Sequence, residues 1–171
     1  MDIVMKTALI AGLGLIYTCT ANAGTRQNAL AIMPDDAEVR SFHEEWSFSE
    51  ALVVGDTVYL SGYVVNLRRG ETDLQTAYTR AFQEIGQILG RAGASWDDVV
   101  DITTYHTELA TQMPAIVAVK RNFVRAPYPA WTAVEVSRLI PDRGITEIKL
   151  VARVRPSGAT LGQLSSDDGP E

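Results

Sequence analysis

Few side chains of this 171-residue chain combine the type and spacing that chemistry demands. His43 and His106 lie far apart, and no His-x-x-His or Glu-x-x-His spacing sets two ligands on one helix face, so no metal site is expected. Cys19 is the single cysteine, which leaves no disulfide and no thiolate cluster. Gly12-Leu13-Gly14 looks like part of a phosphate loop but falls in an apolar N-terminal run. Glu44-Glu45 and Asp97-Asp98 read as solvated or capping carboxylates. The net charge is -6 with dispersed acidic residues, and no basic stripe is interleaved with aromatics, so nucleic acid is not an expected partner. No cofactor-binding motif is present, and no cofactor is expected.

The N-terminus carries an address. Lys6 precedes the apolar run Thr7-Ala-Leu-Ile-Ala-Gly-Leu-Gly-Leu-Ile-Tyr17, and Ala21-Asn22-Ala23 supplies a small-x-small exit. That layout predicts a signal peptide over residues 1–23, with Met1 or Met5 as the start, and a periplasmic or secreted product. The run is shorter than the roughly 20 residues a spanning helix needs, so no membrane association is expected after cleavage. A lipid anchor on Cys19 is the second reading. In the first, Cys19 leaves with the signal, and the mature protein has no thiol.

The remaining chain must supply elements that position a site. Gly24 to Asp36 is polar and irregular, a flexible lead-in, and Phe42 and Trp46 in the mixed stretch after it are potential anchors. Ala51 to Gly62 holds two β-rich runs around Gly55-Asp56, a hairpin. Apolar residues recur at three- and four-residue steps from Leu74 to Leu89, predicting a helix over Thr72 to Ala92 that Gly93 ends. Val99 to Thr107 reads as a strand, and Met113 to Val124 as a helix entered through Pro114. Trp131 to Leu139 and Ile145 to Val154 read as a final hairpin. Residues 156–171, rich in Ser, Gly and Asp, read as a disordered tail. The order β-β-α-β-α-β-β predicts an α+β sandwich, with two helices on one face of a mostly antiparallel sheet. The opposite face, offering Trp131, Ala133 and Val151 between charges, asks for a cover, and another subunit is the natural candidate.

Four stretches make the chain recognisable. They are Phe48 to Gly62, Ala92 to Tyr105, Tyr128-Pro-Ala-Trp-Thr-Ala-Val-Glu-Val136 and Glu147-Ile-Lys-Leu-Val-Ala152. Their order and spacing resemble the Rid family, the reactive intermediate deaminases, also called the endoribonuclease L-PSP family. The resemblance covers about residues 46–155, preceded by a lead-in over 24–45. It implies a chorismate-mutase-like fold, a homotrimer and small-molecule sites in clefts between subunits. The deaminase branch hydrolyses enamines and imines such as aminoacrylate to keto acids and ammonia. An Arg grips the substrate carboxylate and a Glu holds the attacking water.

Carried over residue by residue, the resemblance places the Glu at Glu147 and the Ser-Gly pair at Ser61-Gly62. The position of a Tyr holds Phe48, the position of the Arg holds Trp131, and a second acidic position holds Lys149. Loss of the Arg predicts little or no aminoacrylate deaminase activity. Pairing the final hairpin so that residue numbers sum to about 284 would set Arg153 opposite Trp131 as a displaced cation. Each position has a second reading. Trp131 is a platform for a flat ligand or a filler of the vacated space. Glu147 holds water or makes an ion pair. Ser61 and Gly62 line a pocket or pack a strand end. Three functions are compatible with these residues: a small-ligand binder, an imine or enamine hydrolase for a different substrate, and a non-enzymatic interaction trimer.

Overall fold

The computed structural model describes residues 24–154. The expected signal peptide with Cys19, and the expected tail, lie outside the described residues. The frame is one seven-stranded sheet, β1 (Leu30–Ile32), β2 (Ala51–Val54), β3 (Thr57–Leu60), β4 (Tyr63–Asn66), β5 (Val99–His106), β6 (Ala130–Glu135) and β7 (Gly144–Arg153). The helices are α1 (Ala37–Glu45), α2 (Leu74–Arg91) and α3 (Leu109–Lys120). Along the sheet the order is β1-β2-β3-β7-β5-β6, with β4 continuing β3 along the same side of β7.

α2 forms where periodicity placed it. The Asp73 side chain caps Gln75 N–H and Thr76 N–H at 3.0 and 3.2 Å, and Gly93 at φ +77° ends the element. Its stripe of Ala77, Tyr78, Ala81, Phe82, Ile85, Ile88 and Leu89 is buried. Opposite it, β7 alternates as its sequence requires, with Ile148, Leu150 and Ala152 under the helices and Lys149 and Arg153 exposed. Gly55 turns the β2–β3 hairpin at φ +60°.

Four readings change. The lead-in is ordered: Leu30–Ile32 pairs with Ala51–Val53, and Asp36 caps α1 by accepting from Glu38 N–H and Val39 N–H at 3.0 Å. α3 starts at Leu109, ahead of Pro114, because the Glu135 carboxylate accepts from Leu109 N–H at 2.8 Å and opens the helix earlier. The final hairpin does not form. β6 pairs in parallel with β5 (Ile102 beside Trp131), and β7 pairs with the other edge of β5 (Tyr105 beside Glu147). β5–α3–β6 is therefore a crossover unit, and the register placing Arg153 opposite Trp131 is absent.

That pairing also moves Trp131 and Ala133. Beside the buried Ile102 and Thr104, they belong to the helix face. The other face is still part-apolar, carrying Tyr59, Val64, Tyr105, Val134 and Val151 around Glu147 and Lys149.

Candidate functional site

β3 and β4 run along one edge of β7, but their registers do not match. Tyr59 lies beside Val151 and Tyr63 beside Ile148, so one extra residue is absorbed at Ser61-Gly62. Beyond this bulge β2 has ended, and a groove of about 870 Å³ opens between α1, β4, β7 and the loop before β7. Phe48, Ser61, Gly62 and Glu147 all line it; Trp131 and Arg153 do not.

Glu147 projects from β7 beside Val64, and its carboxylate lies on Gly62. A Cβ at Gly62 would sit 1.8 Å from Glu147 Oε1 and 2.9 Å from its Cγ, so glycine is what permits this pose. Among the described residues, no hydrogen bond or ion pair engages the carboxylate, so the ion-pair reading finds no partner there. Gly62→Ala is expected to fold and to swing the carboxylate away. Any Glu147-dependent turnover should fall about ten- to hundredfold. Steady-state kinetics beside a melting curve checks this, and unchanged turnover would show that the pose is unnecessary.

Ser61 is less free. Its hydroxyl donates to the Ser49 carbonyl at 2.7 Å and its N–H to the Glu50 carbonyl at 2.9 Å. This favours a bridge holding the bulge. Two other carboxylates of the groove are engaged as well, Glu50 by Arg91 and Glu84 by the Tyr63 hydroxyl. Burial pushes the Tyr63 phenol well above its ordinary range, with the Glu84 hydrogen bond adding to the effect. Arg143 enters from the loop, exposed, and has no ion-pair partner among the described residues.

The outer wall is aromatic. Phe48 stacks on His43 with centroids 4.0 Å apart, and Phe42 packs against Phe48 at 6.2 Å and Trp46 at 5.2 Å. Burial lowers the His43 pKa, with the nearby Glu50 charge pulling the other way. Phe42 and Trp46, potential anchors by their sequence, are exposed wall residues. The i, i+3, i+7 spacing of Val39, Phe42 and Trp46 was the available signal. Arg143 had none beyond its place in a loop.

Trp131 is engaged elsewhere. Its indole N–H donates to Thr104 Oγ1 at 3.1 Å, and the Lys120 ammonium lies 3.3 Å from the ring centroid. Burial lowers the Lys120 pKa. Within the chain this fits the filler reading. Arg153 pairs with Asp56 at 2.6 Å at the β2–β3 turn and is not a displaced cation beside Trp131.

A bulged antiparallel edge presenting a free carboxylate under an aromatic wall defines an α+β domain with an open groove at the sheet edge. The chain belongs to the endoribonuclease L-PSP family, the YjgF/Rid proteins, whose profile matches residues 40–154. It is 37% identical over 118 residues to the RutC family protein YjgH of Escherichia coli K12, covering 67% of this chain and 88% of that one. It is 32% identical over 108 residues to a 2-iminobutanoate/2-iminopropanoate deaminase of Dermatophagoides farinae, covering 61% and 83%. The structure of RidA from the Antarctic bacterium Psychrobacter sp. PAMC 21119 superposes with a TM-score of 0.56 at 30% identity, covering 63% and 89%.

Proposed function

We propose that this chain is an exported Rid-type protein that binds a small organic molecule in the groove at Glu147 and is not an aminoacrylate deaminase. The observation that carries the reading is the convergence of Phe48, Ser61, Gly62 and Glu147 on one groove, with the Glu147 carboxylate unpaired. Against aminoacrylate stands Trp131 at the Arg position. Its N–H is engaged by Thr104 and offers a carboxylate nothing. The part-apolar open sheet face supports self-association, and the family resemblance makes a homotrimer the expected state. Light scattering tests that, and N-terminal sequencing of exported protein, expected to begin at Gly24, tests the address.

The free carboxylate favours a second reading, imine hydrolysis of another substrate. Water adds to the C=N carbon as Glu147 takes its proton. That proton passes to nitrogen to give a carbinolamine; its hydroxyl proton then moves to nitrogen by way of Glu147 as the C–N bond breaks, and a carbonyl compound and ammonia leave.

The test is an assay of the mature protein on enzymatically generated imines, reading carbonyl product and ammonia. Glu147→Ala is assayed beside it. Wild type should turn over aminoacrylate no faster than Glu147→Ala does, and Glu147-dependent aminoacrylate turnover would overturn the proposal.

A further inference from the structure

The groove is large and apolar for a three-carbon substrate. Its volume of about 870 Å³ lies in the upper part of the roughly 300–1,000 Å³ range of pockets that hold drug-sized ligands. Large apolar side chains left in water concentrate around it. Val39, Phe42, Trp46, Phe48 and Ile140 all line it, and Phe42, Trp46 and Ile140 are 45%, 55% and 61% exposed. An apolar patch rimmed by polar groups marks a binding surface. Val39 and Phe42 of α1 and Trp46 at its C-terminal cap form one stripe, on a helix with no buried residue. α1 therefore contributes little to the core and much to this wall.

The charges are sorted as well. Glu50 and Glu84 are engaged within the chain, which leaves Glu147 at the floor and Arg143 at the rim without partners among the described residues. A ligand matching this pattern has an anionic head for Arg143, a polar centre for Glu147 and a flat apolar body for the α1 wall.

We infer that the groove selects α-keto or α-imino acids with a bulky aromatic or branched side chain, Arg143 binding the carboxylate and Phe42 and Trp46 the side chain. This rests on the groove being the ligand site and adds what the ligand is. It also assigns carboxylate recognition to a residue outside the position that Trp131 occupies.

Isothermal titration of the mature protein with pyruvate, phenylpyruvate and phenylacetone tests it. Phenylpyruvate and pyruvate share the head, and phenylpyruvate and phenylacetone share the body. Phenylpyruvate should bind at least about tenfold tighter than either. Arg143→Gln should remove its advantage over phenylacetone while leaving phenylacetone binding unchanged, and Arg143→Lys should restore part of it. Trp46→Ala and Phe42→Ala, both at exposed positions, should remove the advantage over pyruvate. Pyruvate binding as tightly as phenylpyruvate, or Arg143→Gln leaving phenylpyruvate affinity intact, overturns the inference while the ligand site stands. If no probe binds, the site and the inference fall together.

Discussion

Glu147→Gln should leave the protein folded and its groove able to bind phenylpyruvate within about threefold of wild type, while any imine turnover falls by about 10²–10⁴. Both halves follow from geometry. The carboxylate makes no hydrogen bond or ion pair among the described residues, so the amide breaks no internal contact. Glutamine has nearly the same shape and fits over Gly62, where the clearance is set by the glycine. What it lacks is the capacity to take a proton from water. Measuring kcat apart from the binding constant separates the two roles. Equal loss of binding and turnover would make Glu147 a ligand contact only. Undiminished turnover would remove it from the chemistry.

His106→Leu should cost about 3 kcal/mol or more of stability, read from denaturant unfolding. His106 is fully buried between β5, β7 and α3, in a polar chain whose donors and acceptors all match. The Trp131 N–H donates to Thr104 Oγ1, whose hydroxyl donates to His106 Nε2 at 2.9 Å. The proton then belongs on Nδ1, which donates to Gln112 Oε1 at 3.1 Å. The Tyr78 hydroxyl donates to Thr146 Oγ1 at 2.7 Å, Thr146 donates to Gln112 Oε1 at 3.2 Å, and Gln112 Nε2 donates to Thr107 Oγ1 at 3.1 Å. Leucine leaves the Thr104 hydroxyl only the long 3.5 Å contact to the Thr132 carbonyl as a donor and part of the Gln112 carbonyl's capacity unmet inside the core.

The same network sets a pH dependence. Burial lowers the His106 pKa from its ordinary 6.5, with the Gln112 hydrogen bond opposing, and burial also lowers His43. A base depressed in the folded state takes up its proton first in the unfolded state. Stability is therefore full above pH 6.5 and declines as pH falls from there toward the folded-state values. Unfolding midpoints measured between pH 7.5 and 5 should show this decline, and His106→Leu should flatten it to the share that His43 retains. A midpoint that does not fall with acid would contradict the neutral network.

The elements legible in the sequence were those whose burial imposes a period. α2 and β7 each bury one complete stripe, and their residues announce it. α1 buries nothing, so its apolar spacing carried no core signal and the segment read only as mixed. The final hairpin was misread for a different reason. A short loop between two apolar runs suggests a turn, but pairing across distant sequence is decided by which strand completes the sheet. β5, whose buried Ile102, Thr104 and His106 alternate along one face, takes the place between β7 and β6. At the site, Ser61-Gly62 and Glu147 were legible through family motifs. Arg143 and the α1 wall were not, because nothing local distinguishes a groove residue from an ordinary surface one.

β7, the last strand among the described residues, lies at the middle of the sheet, between β3–β4 and β5. Until β7 is in place, the β1–β4 half of the sheet and the β5–β6 half have no common edge. The sheet therefore cannot close before this strand is made. Strand order thus acts as a timer: closure of the sheet waits for β7.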